Sequence, residues 1–281
     1  NFDDVKYNID FKDEDFILSS QLKVSELKLS SQEYLKKFIP NLKDTTTLID
    51  QNIDINFNKK ELLVKGQGKI KFNNDFEDIV FRVSKIKDKF DFNTQLNLNE
   101  TLLKIDFLNF EKNPKLKSQI KILGSYDAKD LLYFKNLSII DNDNKLIIKN
   151  IFLDQDNLIE KLDEANLEFF DNQNKENKII LKKVKENKYQ ITGISFNAEK
   201  LIDNLLTSKK DGDTKFFKND FKLSLDLNEV YLDSVNIIKN LKGKLDIKNN
   251  EIYAADIFGD FDNENNLKFT INTNNSGEKI T

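Results

Sequence analysis

Two acidic clusters, Asp141-Asn142-Asp143-Asn144 and Asp211-Gly212-Asp213, have the residue types that open a calcium-binding loop. Such a loop needs glycine at its sixth position and glutamate at its twelfth. The first cluster places Leu146 and Phe152 there and the second Phe216 and Lys222, so both read as turns. Gly66-Gln67-Gly68 carries two glycines of a phosphate loop, but it lies inside an alternating run with no helix after it. It reads as a β-bulge or a close backbone approach. Glycoside hydrolysis needs two carboxylates facing across a cleft, usually with aromatic platforms. With 48 Asp and Glu, finding pairs decides nothing, while the lack of Trp and only 7 Tyr argue against sugar stacking. Histidine and cysteine are absent, which removes zinc sites, Ser-His and Cys-His nucleophiles and most acid-base dyads. No catalytic, cofactor-binding or metal-ligating residue is therefore expected, and the chain is not expected to be an enzyme. The Asn-x-Ser/Thr triplets at Asn99, Asn136 and Asn274 arise by chance in so asparagine-rich a chain, and Lys209-Lys210 reads as a solvated linker.

The elements that would position any site must come from the rest of the 281 residues, which can hold one large β domain or two smaller ones. A composition 38% hydrophobic and 33% charged, with a net charge of -4, is too apolar for a disordered chain and too balanced for a nucleic-acid binder. A folded, soluble protein follows. No run approaches the ~18 apolar residues of a membrane span, and Asn1-Phe2-Asp3-Asp4 lacks the basic and apolar regions of a signal peptide. No transmembrane segment is expected within the sequence. Methionine is absent even at position 1, so the sequence reads as a piece of something longer, with any signal or anchor upstream. Abundant Lys, Asn, Ile, Asp, Phe and Leu, with Arg82 the single arginine, fit an A+T-rich bacterial genome.

Period-two alternation is the main structural signal, placing apolar side chains on one face of a strand and polar ones on the other. It runs through Val5, Tyr7, Ile9 and Phe11; Ile53, Ile55 and Phe57; Leu62 to Phe72; Ile79, Phe81 and Val83; and Phe90 to Leu98. It resumes at Leu116 to Ile122, Phe221 to Leu227, Leu241 to Ile247, and Leu267, Phe269 and Ile271. Clusters such as Asn73-Asn74-Asp75 and Asn249-Asn250 between the runs are turn chemistry, so antiparallel meanders are expected. Helical spacing appears at Ser31 to Ile39, at Asn197 to Leu206 behind a capping Asn, and more weakly at Asp127 to Phe134. The first two each precede a polar linker and alternating strands, as a degenerate helix-plus-meander repeat would. The expected organisation is a β-meander unit at 1–124 with a short helix at 31–39, a connecting β region at 125–196, and a helix plus β-meander at 197–281, or one continuous domain. The fold class is mainly β, antiparallel curved sheets forming a β-groove or an open sandwich-like unit, with a few short helices.

Strands with one apolar and one charged face must have the apolar face covered by a second sheet, a helix, barrel closure or a ligand. At about 25 cal/mol per Å² of apolar surface, leaving it wet is costly. Two or three short helices are too few. Either two halves bury each other, or an open groove is filled by acyl chains, and periodicity does not separate the two.

Gly193-Ile194-Ser195-Phe196-Asn197-Ala198-Glu199-Lys200-Leu201-Ile202 leads into a short helix, followed by the polar linker Thr207 to Asp213. Next come Phe221-Lys222-Leu223-Ser224-Leu225-Asp226-Leu227-Asn228-Glu229-Val230, then Ile238-Lys239-Asn240-Leu241-Lys242-Gly243-Lys244-Leu245, then Ile252 to Phe261 with Gly259. In order and spacing this last third resembles the C-terminal region of AsmA-like proteins, large bacterial envelope proteins that include relatives of TamB and YhdP. Asn197 departs from the aspartate common there, a change that a helix N-cap accepts. Scarce Gly and Ala are a second departure. The resemblance implies β-groove units strung into a long curved sheet with an apolar interior. It further implies a periplasmic location, an inner-membrane anchor on the full-length protein, and phospholipid moving toward the outer membrane. On that reading Leu223, Leu225, Leu227, Leu245, Ile247, Phe269 and Ile271 contact phospholipid acyl chains; they are equally the core of a closed sandwich. Inner- and outer-membrane envelope proteins would be further partners, with no nucleic acid. A periplasmic scaffold or assembly factor for outer-membrane proteins, with a closed core and a strand-binding sheet edge, is the competing function. A third, an enzyme or adhesin on a parallel β-helix, fits poorly with the interspersed helices and uneven strand spacing.

Overall fold

The alternating runs fold as strands. A computed structural model of the chain describes residues 2–12, 15–31, 33–127, 131–202, 217–249, 251–261, 265–274 and 279–280. The protein is mainly β, and its residues group into two units, Asn1–Ile105 with Glu111–Asn142 and Asp106–Phe110 with Asp143–Thr281. The Asp211-Gly212-Asp213 cluster, Lys209-Lys210 and the linker from Thr207 to Asp213 lie outside the described residues.

The first unit holds β1 (Phe2–Lys12), β2 (Asp15–Ser30), β3 (Thr45–Phe57), β4 (Leu62–Phe72), β5 (Asp75–Ile86) and β6 (Lys89–Leu98). An excursion then carries β7 (Leu103–Ile105), a 3-10 turn (Asp106–Leu108) and β8 (Phe110–Lys112), of which Asp106–Phe110 belong to the second unit, before β9 (Ser118–Tyr126) and β10 (Leu132–Ile140). The spatial order is β1-β2-β3-β4-β5-β6-β9-β10, antiparallel throughout. The second unit holds β11 (Lys145–Leu153), β12 (Ile159–Phe170), β13 (Glu176–Lys185), β14 (Lys188–Asn197), β15 (Phe221–Tyr231), β16 (Ile237–Lys248), β17 (Glu251–Asp260), β18 (Asn266–Thr273) and β19 (Lys279–Ile280). These pair in chain order. In neither unit do the curved strands close into a barrel.

One pair departs from the expected meander: β14 and β15 are parallel, with Gly193 opposite Leu227. A parallel pair cannot be joined by a tight turn. The connection leaves at Ala198, forms a helical turn at 199–202, and returns at Phe217, whose backbone bridges to Ile159.

The expected helices are smaller than their spacing suggests. In place of an α-helix at 31–39 there is a 3-10 segment, Glu33–Lys37, in which the N–H groups of Phe38 and Ile39 both donate to the carbonyl of Leu35. Pro40 follows, and a residue before proline is driven out of the α region. Of the stretch from Asp127 to Phe134, residues 128–130 lie outside the described set and Leu132–Phe134 are strand, paired to β9. Tyr133 and Phe134 suit a pleated surface better than a helix. Residues 203–206 of the third helix are likewise outside the described set.

Turn chemistry rests on asparagine. Among the described residues twelve non-glycine positions have positive φ, and nine are Asn, including Asn73, Asn187, Asn240 and Asn249. Asparagine tolerates this region because its short side chain bonds the local backbone. The glycines serve close approach instead. The bulge expected at Gly66-Gln67-Gly68 lies on the facing strand, where the β3–β4 register slips between Ile49 and Asn52 and Asp50 has φ 50. The Gln51 amide is buried against Gly68, donating to the carbonyls of Ile49 (3.0 Å) and Lys69 (2.8 Å).

Candidate functional site

Register carries the apolar side chains of each unit into continuous rows on one sheet face. In the first unit one row runs Ile55, Val64, Val83, Phe92, Gly124, Phe134, and the next Leu22, Ile53, Gly66, Phe81, Thr94, Ile122, Leu137. The Phe81 ring covers Gly66 and the Phe92 ring covers Gly124, so aromatic rings pave the middle of the face. Phe92 meets Phe134 edge-on at 5.9 Å.

The second unit repeats the arrangement. One row is Ala165, Leu181, Ile191, Leu225, Gly243, Ile257, Phe269, and another is Tyr189, Leu223, Leu245, Ala255, Ile271. Leu227 faces Leu241, and Phe221 faces Ile247. All seven residues expected to line a groove therefore share this face. They differ in burial: Leu227 (4%) and Ile271 (9%) are core, Leu223, Leu225, Leu245 and Ile247 are half-buried, and Phe269 is 40% exposed.

Cover on this second face is concentrated at its ends. At one end Ala198 and Ile202 pack with Ile179, Leu227 and Leu241, and Phe110 meets Phe169 edge-on at 5.5 Å. At the other, Phe217 packs on Tyr189 and Phe221 with ring centres 6.2 and 4.5 Å apart. Burial there pushes the Tyr189 hydroxyl pKa up. Between the ends Leu181, Ile191, Leu225 and Ile257 stay half-buried although they lie on central strands. The first unit behaves alike: Ile39, Leu42, Leu98 and Leu103 are buried, while Ile53, Val64, Phe81, Val83 and Phe92 are half-buried.

The opposite face is charged and self-paired. Lys149–Glu164 (2.8 Å), Lys178–Glu168 (2.6 Å), Lys222–Asp246 (3.2 Å) and Lys242–Asp226 (3.8 Å) join neighbouring strands. The bond from Lys149 holds the Glu164 carboxyl below its usual range, and the bond to Glu168 raises Lys178. Charges satisfied in this way keep one face in water and leave the other as the side that needs a cover.

Two buried polar clusters had no signal in the sequence. The carboxylate of Glu77, 1% exposed, accepts the N–H groups of Asn99 (2.6 Å), Glu100 (2.9 Å) and Thr101 (2.6 Å). Buried Lys112 donates to the carbonyls of Asn99 and Thr101, both at 3.0 Å, and burial lowers its pKa against the pull of Glu77. In the second unit the Asn197 amide donates to Asp171 at 2.5 Å, while its backbone N–H donates to Asn177 at 2.7 Å. Both clusters fix loops. Among the described residues no group of three or more Asp and Glu could hold a metal ion, and the bend at Asp141-Asn142-Asp143-Asn144 follows β10. No helix among them is long and apolar enough to cross a membrane.

The face residues of the first unit show in the sequence as alternation alone, because the resemblance that marks groove residues covers only the last third of the chain. Comparison with protein-family models, with curated proteins and with solved structures found no match in any of the three.

Proposed function

We propose that this chain is a non-enzymatic lipid-binding and lipid-conducting segment of an AsmA-like periplasmic protein that supports phospholipid transport and outer-membrane biogenesis. The observation that carries the reading is the half-buried apolar row on central strands, Leu181, Ile191, Leu225 and Ile257, repeated in the first unit at Val64, Phe81, Val83 and Phe92. A closed sandwich would bury such positions almost completely. An acyl chain laid along the row removes the same apolar surface from water at about 25 cal/mol per Å² and demands no polar partner. Headgroups would stay in solvent. On this reading the full-length protein is anchored in the inner membrane, and envelope proteins at either membrane are its partners.

A second reading, a periplasmic scaffold or assembly factor for outer-membrane proteins, is favoured by the edge of β1, which pairs with β2 alone among the described residues. Native and lipid mass spectrometry of the chain purified from a bacterial periplasm separates the two. Stoichiometric phospholipid, lost in a folded Leu225→Glu variant, is the expected result. A lipid-free, well-folded protein removes the lipid reading and leaves the scaffold.

A further inference from the structure

Four apolar residues in alternation on β1 are strongly exposed: Val5 is 52% exposed, Tyr7 73%, Ile9 46% and Phe11 84%. Among the described residues the strand is paired on one side only, and it keeps an unbroken register with β2 from Asp4 to Lys12. It carries no proline and no bulge over that stretch, two of the devices that usually blunt such an edge. Its polar face carries Asp4, Lys6, Asn8 and Asp10, and along the strand Lys6 meets Asp4 at 3.6 Å and Asn8 donates to Asp10 at 2.9 Å.

We propose that two copies of the chain associate edge to edge through β1, antiparallel, with Asn8 of each copy opposite Asn8 of the other. The sequence of the strand selects this register. With Asn8 at the two-fold axis, Val5 falls opposite Phe11 and Tyr7 opposite Ile9 on the apolar face, and Lys6 falls opposite Asp10 on the polar face. Every one of these pairs occurs twice. A shift that centres Tyr7 sets Asp4 against Asp10, and a shift that centres Ile9 sets Lys6 against another lysine, both like-charge pairs. A shift by an odd number of residues would oppose apolar to charged positions, since side-chain direction has period two. Backbone hydrogen bonds supply affinity, and the Lys6–Asp10 pairs supply register. The inference does not depend on what covers the apolar face, because the contact is made along the strand edge.

Sedimentation velocity on the full 281-residue chain over a concentration series tests it. A monomer–dimer equilibrium is expected. Lys6→Glu turns two attractive pairs into two repulsive ones and is expected to weaken dimerisation about tenfold or more. Lys6→Glu combined with Asp10→Lys reverses both charges and is expected to restore it. Far-UV circular dichroism checks that each variant is folded, and Lys6 is exposed enough for its exchange to leave the fold intact. A monomer at every concentration overturns the proposal. So does a dimer insensitive to Lys6→Glu, or a loss that the double exchange does not repair.

Discussion

The ring of Phe81 occupies the space in which a Cβ on Gly66, its cross-strand partner, would stand, with Cε2 2.9 Å from that position. Gly66→Ala therefore forces the ring off the sheet, at an expected cost of about 1 kcal/mol. In a Phe81→Ala background the same substitution no longer meets the ring and is expected to stabilise by about 0.5 kcal/mol, the ordinary gain of alanine over glycine in a strand. Equilibrium urea unfolding of the four proteins measures the sign change, and additive effects would refute the contact.

Gly124 looks alike but is not, because a Cβ there meets the backbone carbonyl of Tyr133 as well as the Phe92 ring. Removing the ring leaves the carbonyl in place. Gly124→Ala is expected to cost about 2 kcal/mol both alone and with Phe92→Ala. The same unfolding experiment reads it.

Asn197 fills a position at which aspartate is a fair helix cap, yet its amide donates to the carboxylate of Asp171 at 2.5 Å. Asn197→Asp would set two carboxylates together in a buried site, and is expected to cost about 3 kcal/mol at pH 7. One of the pair must then hold a proton, with a folded-state pKa above the unfolded value of about 4. Folding takes up that proton, so the loss is largest above the raised pKa and shrinks as pH falls through it. Asn197→Ala, which lacks the second carboxylate, is expected to lose stability without that pH dependence. Chemical unfolding at pH 5 and pH 8 separates the two.

Most strands were legible because residues such as Leu62 to Phe72 and Phe221 to Leu227 alternate cleanly on a sheet with one wet face. Strands β11 to β14 were harder to read, since doublets such as Ile147-Ile148, Phe169-Phe170 and Ile179-Ile180 put apolar residues on both faces. The parallel β14–β15 pair was hidden by its tertiary origin: alternation reports a strand's faces and not its partner's direction. For the same reason Val230 and Ile238, one residue out of phase with Leu227 and Leu241, nonetheless join their cluster beside the register slip at Asn240. The seven groove candidates were brought onto one face because period two fixes sidedness, whereas burial depends on what lies above the sheet. Glu77 and Lys112 could not be found among 48 acidic residues and 44 basic ones, because what marks them is a loop that comes back to them.

That loop is held by opposite charges, Glu77 on its N–H groups and Lys112 on its carbonyls. Lys112→Met would leave two carbonyls without the ammonium and Glu77 without a nearby cation, an expected loss of about 3–5 kcal/mol. Because burial lowers the folded-state pKa of Lys112, folding releases its proton between that value and the unfolded value of about 10.4. Stability from this group therefore rises with pH across that window. The unfolding free energy of the native protein, less that of Lys112→Met, is expected to grow from pH 8 to pH 10, and a flat difference would count against the linkage.

Lys87 begins the two-residue turn between β5 and β6, where Ile86 pairs with Lys89, and it sits at φ 53. Nine of the twelve such positions carry asparagine, which bonds its own backbone there, whereas a lysine side chain offers nothing in return for the close approach of its Cβ to the carbonyl. Lys87→Asn is accordingly expected to stabilise the first unit by about 0.5–1 kcal/mol, raising its thermal midpoint by about 1–4 °C. The reverse exchange in the second unit, Asn187→Lys in the turn between β13 and β14, is expected to lower stability by a similar amount. Differential scanning calorimetry of both variants reads the two shifts. Opposite signs would establish that asparagine in this chain does the conformational work that glycine does elsewhere, and equal signs would rule that out.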